Sequence, residues 1–289
     1  MSTTIISILL GIGGMFGWGI YDFLGGLFSR RIGSFNSLFW SQAAGALAIL
    51  LFALVAGANF TLFVPVLLLT PAAAVVYSLG YLFLFTGFKK GNVSIVAATM
   101  NLWAVFTMTF AFLFMGQRLS TSQGVGVFMI ISGAMLASVD WRGLGRQGAK
   151  LSLGVREAIL GAFFFGIFWN ISELISEQIG WLLTTLLVKF EIVLFLLLVA
   201  AVRRQPIRLE KSATSLKYLI FMMGVIEVSA VALVNYGLTI GDAILITPIA
   251  SALSIVTIAL AVIFLKDRVS RFQGVGIAAA IAGIILTAF

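Results

Sequence analysis

Apolar residues run through this chain in blocks as long as a bilayer is thick, broken by short polar turns. A helix needs about 20 consecutive, mostly apolar residues to cross the hydrocarbon core. Ten stretches meet that pattern, at 4–28, 35–56, 62–88, 93–115, 123–139, 157–177, 181–202, 216–238, 243–265 and 272–289. The fifth and tenth are short and rich in Gly and Ala. Short turns join most of them, so consecutive helices are expected to be antiparallel neighbours. Two connectors are longer: 140–156 (DWRGLGRQGAKLSLGVR) and 203–215 (RRQPIRLEKSATS). The expected fold class is an all-α polytopic membrane protein. The first block has no basic residues ahead of it and runs past signal-peptide length, so it is expected to be retained.

Composition narrows the chemistry. Of the 289 residues, 61% are hydrophobic and 10% charged, whereas a soluble domain carries about 25% charged residues. The surface of such a chain must face lipid. Cys and His are both absent, which removes disulfides, thiolate and imidazole metal ligands, and the near-neutral imidazole switch. No metal and no cofactor is expected, and proton chemistry would fall to carboxylates, Lys or Tyr. The net charge of +8 fits basic loops held at the cytoplasmic face better than a nucleic-acid surface. No nucleic-acid partner is expected.

The basic residues are distributed unevenly. The loops after spans one, three, five, seven and nine hold Arg30, Arg31, Lys89, Lys90, Arg142, Arg146, Lys150, Arg156, Arg203, Arg204, Arg208, Lys211, Lys217, Lys266, Arg268 and Arg271; the other loops hold only Arg118. The positive-inside rule then places those odd-numbered loops in the cytoplasm and both termini outside. The chain also repeats itself. Arg118-Leu119-Ser120-Thr121-Ser122-Gln123-Gly124-Val125-Gly126 is nearly copied at Arg268-Val269-Ser270-Arg271-Phe272-Gln273-Gly274-Val275-Gly276. Gly14, Phe16, Gly19, Ile20 and Gly33 correspond to Gly161, Phe163, Gly166, Ile167 and Gly180. Two units of five spans are expected, 1–139 and 157–289, with 140–156 as a cytoplasmic linker. An odd number of spans forces the second unit to enter from the opposite side, so the repeats are expected to be inverted (5+5), an organisation typical of secondary transporters.

Charges within spans are costly and need protein, water or a partner around them. Asp22, Glu173, Lys189, Glu191 and Glu227 stand out. Lys189 and Glu191, two residues apart, occupy nearly opposite faces of one helix. Lys189 is expected to pair with Glu227 or with Asp22, either as a structural lock between helices or as part of a working site. Asn170, Glu173 and Glu177 form a stripe at helical spacing, beside Trp169. It reads as a vestibule attractive to cationic groups or as a solvated outer helix end. In span one, Trp18, Tyr21 and Asp22 flank two glycine stripes (Gly13, Gly17, Gly25; Gly14, Gly26) that suit close helix packing. The aromatic-carboxylate grouping could hold an amino group or organic cation; packing is the plainer role for Trp18. Tyr77, Tyr81, Asn101, Trp103, Asn235 and Ser251 complete the candidate site residues, and Gln42 is a further buried-amide candidate. Pro65, Pro71 and Pro248 each remove a backbone donor inside a span. No catalytic residue is expected: there is no Walker A loop, no potassium-filter sequence and no constellation for hydrolysis or acyl transfer. The chain is expected not to be an enzyme.

The fourth–fifth and ninth–tenth span pairs resemble the two repeats of the drug/metabolite transporter superfamily, EamA-like family. Span nine opens with Gly241-Asp242-Ala243, carries Pro248 and closes with Lys266-Asp267-Arg268-Val269-Ser270, after which Gln273-Gly274 opens span ten. The links Gly80 to Gly91 and Ala232 to Gly241 resemble the family's approach to that span. The first repeat departs from the pattern, with Ala98 in place of the proline and Gln117 in place of the acid. The resemblance implies a ten-helix secondary carrier with a central cavity, mostly exporting small organic metabolites, amino acids or amphipathic drugs. The expected function is therefore alternating-access transport of small amphipathic solutes, with amino acids leading, across the plasma (bacterial or archaeal inner) membrane. The partners would be a small-molecule solute and the lipid bilayer, in a monomer or an oligomer of unknown order. The alternatives are a proton-coupled multidrug or organic-cation efflux carrier, using Asp22, Glu173, Glu191 or Glu227, and a non-transport membrane scaffold or enzyme.

Overall fold

The computed structural model describes residues 3–58, 64–90, 96, 99–138, 154–208, 214–266 and 270–288. The regular structure among these residues is all helical, with no strand among them. In chain order the helices are α1 (Thr3–Ile32), α2 (Ser34–Val55), α3 (Val64–Leu67), α4 (Leu69–Lys90), α5 (Leu102–Phe114), α6 (Thr121–Ser138), α7 (Val155–Ile179), α8 (Trp181–Arg203), α9 (Thr214–Ile240), α10 (Ala243–Ser251), α11 (Leu253–Leu260) and α12 (Arg271–Leu286). A π-helical turn, Ala261–Leu265, follows α11. Among the described residues, seven stretches are long and apolar enough to cross a membrane, and Leu102–Phe114, Thr121–Ala137 and Arg271–Leu286 are shorter apolar helices. Most of the expected linker 140–156, and Asp267, Arg268 and Val269 of the second motif, lie outside the described residues.

The duplicated motif has a physical basis at the start of α6 and α12. A helix leaves its first N–H groups unsatisfied unless a side chain accepts them. In α12 the Ser270 side chain accepts from the Gln273 N–H at 3.2 Å, and the Gln273 side chain accepts from the Ser270 N–H at 2.9 Å. In α6 Ser120 and Gln123 make the same reciprocal pair at 3.2 and 3.0 Å. Each copy of Ser-x-x-Gln is thus a capping box. The last glycine of each copy is required for a different reason. A Cβ on Gly126 would lie 2.8 Å from the Gly283 carbonyl oxygen, and one on Gly276 would lie 2.6 Å from that of Gly133. Residues 126 and 133 of α6 meet 283 and 276 of α12 in reverse order, so the two helices pack antiparallel, backbone against backbone.

The remaining contacts repeat in the same crossed way. Gly14 of α1 abuts Val234 of α9, while Gly161 of α7 abuts Leu84 of α4. Gly19 abuts Val256 of α11, while Gly166 abuts Phe106 of α5. A residue of one half meets the other half, and its counterpart returns the contact. The core lies where α1, α4, α7 and α9 converge, and it includes Tyr21, Tyr77, Phe168 and Val234.

Two helices break at matching positions. α10 ends at Ser251 and α11 resumes at Leu253. Asn101, 150 residues before Ser251, is a turn residue at the head of α5. Only the second copy carries a proline nearby, Pro248 within α10. Proline is thus not the common cause of the break. Pro65 and Pro71 fall in the first turns of α3 and α4, where a missing N–H breaks no intrahelical bond. Pro71 cannot donate to the Leu67 carbonyl, and α3 ends there.

Candidate functional site

The charged residues of the spans separate into two buried arrangements and two outlying carboxylates. The first arrangement is central. Lys189 of α8 and Glu227 of α9 are 1% and 0% exposed. The ammonium donates to both carboxylate oxygens of Glu227 at 2.5 and 2.6 Å, and to the Gln42 Oε1 of α2 at 2.7 Å. The Tyr77 hydroxyl of α4 donates to Glu227 as well. Of the two partners expected for Lys189, the structure chooses Glu227. Asp22 makes no ion pair with a described residue.

Gln42 precedes Lys189 by 147 residues and Tyr77 precedes Glu227 by 150. These are the spacings that relate the two halves of the chain. Each of these two bonds therefore joins a residue to its own repeat counterpart, and the charged members both belong to the second half.

Aromatic side chains surround this network. The Lys189 Nζ sits 4.8 Å from the Tyr77 ring centroid, a distance suited to cation–π attraction. Tyr77 packs edge-on against Tyr81 (5.1 Å), Phe165 (5.5 Å) and Phe168 (4.7 Å). Tyr21 stands 6.1 Å from Tyr81 and shares a 3.0 Å hydrogen bond with Ser41. Trp18, Trp103 and Trp169 form a neighbouring cluster, with Trp18 at 5.2 Å from Trp169 and 6.3 Å from Trp103. The Trp18 indole N–H is buried and donates to no described residue. Asp22 is half-buried beside Tyr21 in sequence.

The second arrangement caps α10. Glu173 is 1% exposed, so it does not open onto a vestibule. Its Oε1 accepts from the Gln117 Nε2 at 2.8 Å and from the Ala243 N–H at 3.1 Å. Gln117 Oε1 accepts from the Ile244 N–H at 3.0 Å. The Leu245 N–H turns back to the Asp242 carbonyl at 3.1 Å. The first three N–H groups of α10 are thereby satisfied, two of them from other helices or loops. A carboxylate at this end also opposes the positive end of the helix dipole. The stripe splits accordingly: Glu177 is exposed, while Asn170 is buried and donates to the Thr107 and Gly166 carbonyls at 3.1 and 2.9 Å.

Other candidates hold the helices together. Asn235 accepts from Ser172 at 2.8 Å and donates to Thr185 at 2.9 Å, joining α9 to α7 and α8. Glu191, half-buried, accepts from Thr70 of α4 at 2.8 Å. Ser251 bonds the Pro248 carbonyl at 2.7 Å, and Asn101 is buried at the matching break. Sequence reasoning missed Gln117, Ser172 and Thr185 as partners. Gln117 alone carried a signal, as a departure from an acidic position.

Comparison with known proteins agrees with the duplicated architecture. One crystal structure superposes over 97% of this chain and 94% of its own, with a TM-score of 0.78 at 16% sequence identity, a likeness of fold. No curated protein matches the chain. The family profile of the EamA-like transporter family matches twice, over residues 5–139 and 152–289. Those two matches coincide with the halves whose capping boxes, glycine contacts and helix breaks correspond, and the chain belongs to the EamA-like transporter family, membrane transporters of the drug/metabolite type.

Proposed function

We propose that this transporter is a secondary carrier built from ten spans in two inverted units of five, which moves small amphipathic organic solutes outward by alternating access. Amino acids are the leading class, by the family resemblance and by the scarcity of cations in the interior: a polyanion would call for several, and Lys189 is the one buried lysine among the described residues. The observation that carries the reading is the Lys189–Glu227 pair. It lies at the seam of the two halves, bonded to Gln42 and Tyr77 of the other half. A site shared by two rocking units is where alternating access places its solute. The antiparallel packing of α6 and α12 supports the inverted threading. Lys90 at the end of α4 and Glu157 at the start of α7, paired at 2.6 Å, support a common, cytoplasmic side for those two ends. Both termini then lie outside in a plasma membrane.

Reconstitution into liposomes with a panel of amino acids, cationic dyes and sugars tests this. Saturable counterflow of at least one solute is expected, and absence of flux for the whole panel would refute it. One observation favours proton-coupled efflux of organic cations as a second reading: Asp22 is a half-buried carboxylate with no hydrogen bond to a described residue, in a helix that also presents Trp18 and Tyr21. That reading requires Asp22→Asn to abolish ethidium efflux.

A further inference from the structure

We infer that the Lys189–Glu227 ion pair is an exchange site: it opens for a solute bearing a carboxylate and an ammonium on one carbon, and each protein charge trades its partner for the solute's opposite charge. The inference rests on the carrier reading above and assigns the residues of its solute site. Four observations lead to it.

The first is that the fold does not call for charge at this place. Apolar side chains of similar volume usually stabilise an interior as well as a buried ion pair does. The repeat counterparts of Lys189 and Glu227 are the neutral residues Gln42 and Tyr77, in the same helices of the other half. The same helix positions carry neutral side chains in the first half, so the helix geometry does not dictate charge there, and the charges of the second half serve something besides it.

The second is location. The network ties α8 and α9 to α2 and α4 across the seam between halves. Any motion of one half against the other must rearrange these bonds.

The third is a donor held only loosely, by the Tyr21 hydroxyl. Gln42 gives its Oε1 to Lys189, which fixes the orientation of the amide. Its Nε2, buried and facing the Tyr21 hydroxyl, completes no other hydrogen bond with a described residue. A carboxylate arriving at Lys189 would take this second donor as well.

The fourth is the aromatic wall beside the pair, where Tyr77 bonds Glu227 and its ring lies 4.8 Å from the Lys189 ammonium. Tyr77, Tyr81, Phe165 and Phe168 present ring faces and edges at 4.7 to 5.5 Å from one another. A displaced or incoming ammonium meets Glu227 and these rings together.

Charge balance then selects the solute. A ligand with one charge would neutralise one protein group and leave the other buried and unpaired, which is strongly unfavourable. A zwitterion neutralises both. Lys189 and Gln42 would hold its carboxylate; Glu227 and the tyrosine rings would hold its ammonium.

The test uses the full chain in lipid nanodiscs and proteoliposomes. The probes are radiolabelled L-threonine, L-leucine and L-phenylalanine, with their methyl esters and N-acetyl derivatives. At least one amino acid is expected to bind and to exchange, with masking of either end weakening binding tenfold or more. Lys189→Gln should equalise the free acid and its methyl ester. Glu227→Gln should equalise the free amine and its N-acetyl form. Failure of either variant to fold leaves the wild-type comparison of masked and unmasked probes decisive. A masked probe that binds wild-type protein as tightly as its parent overturns the exchange site. So does flux of ethidium or glucose without binding of any amino acid, an outcome that leaves the carrier reading standing. Flux of no solute overturns both.

Discussion

Replacing Glu173 separates two roles that a buried carboxylate can play. In the structure its Oε1 accepts from Gln117 and from the Ala243 N–H, while Oε2 has no partner among the described residues. Glu173→Leu strands the buried Ala243 N–H and the half-buried Gln117 amide. Each costs about 1–3 kcal/mol, so the loss is about 4 kcal/mol for the pair. With about 1.4 kcal/mol per tenfold change, opening of the first turn of α10 becomes roughly a thousandfold more frequent. Glu173→Gln keeps a carbonyl oxygen that can accept both bonds. It gives up charge assistance but removes a buried charge that makes no ion pair with a described residue. The two effects oppose each other, and the net change should stay within about 1 kcal/mol. Hydrogen exchange of the 243–246 backbone in nanodiscs measures this directly, with thermal unfolding in detergent as the global readout. Ala243 and Ile244 amides should be protected in the wild type, nearly as protected in Glu173→Gln, and exposed in Glu173→Leu. Equal damage from Gln and Leu would mean that the charge, not the acceptor, holds the turn. Unchanged exchange in Glu173→Leu would refute the cap altogether.

Three further outcomes follow from the packing. Lys189→Met alone should destabilise the protein by about 3–5 kcal/mol, because it leaves Glu227 buried and unpaired, and Lys189→Met with Glu227→Leu should recover most of that; additive losses in thermal unfolding would contradict the pairing. Gly133→Ala should destabilise by at least about 1–3 kcal/mol, since its Cβ would lie 2.5 Å from the Gly276 carbonyl oxygen. Gly124→Ala, which meets nothing within 4 Å, should be neutral or stabilise by about 1 kcal/mol through helix propensity, and the same melting assay ranks the two. Asn235→Leu forfeits two interhelical hydrogen bonds, worth about 0.6 kcal/mol each in a membrane bundle, so a loss of about 1 kcal/mol is expected by the same measurement.

The sequence made the scaffold legible because its determinants are local or periodic. Span length follows from bilayer thickness, and Ser-x-x-Gln caps a helix through residues three apart. The glycines recur every four or seven positions because one helix face must approach another. Charge alone narrowed the partner of Lys189 to Glu227 or Asp22, since few opposite charges lie in the spans. Glu173 was misplaced for a related reason. Its spacing from Asn170 and Glu177 describes one helix face, but not what stands opposite. Gln117 and the first turn of α10 stand there, the nearer 56 residues away along the chain. The Asn235 links to Ser172 and Thr185 were hidden likewise, as polar residues in separate spans carry no shared period.

The two halves differ where they touch. Small residues at crossed contacts are kept in both: Gly14 and Gly161, Gly19 and Gly166, Gly126 and Gly276. A Cβ at any of these positions would collide with the facing helix, so each copy is held to the same solution. Polar positions at the seam are under no such restraint, because a bond needs only one donor and one acceptor. Gln42 has its counterpart in Lys189, and Tyr77 has its counterpart in Glu227; each bonds across the seam to that counterpart. If both halves carried Lys and Glu there, two like charges would face each other across each bond, and burial would make that costly. Near such a two-fold relation a buried charge pair can therefore take only one charged member from each pair of counterparts, and here both come from the second half. The neutral Gln42 and Tyr77 are the physical condition for Lys189 and Glu227 to exist, and restoring the symmetry with Gln42→Lys should unfold the seam rather than duplicate the site.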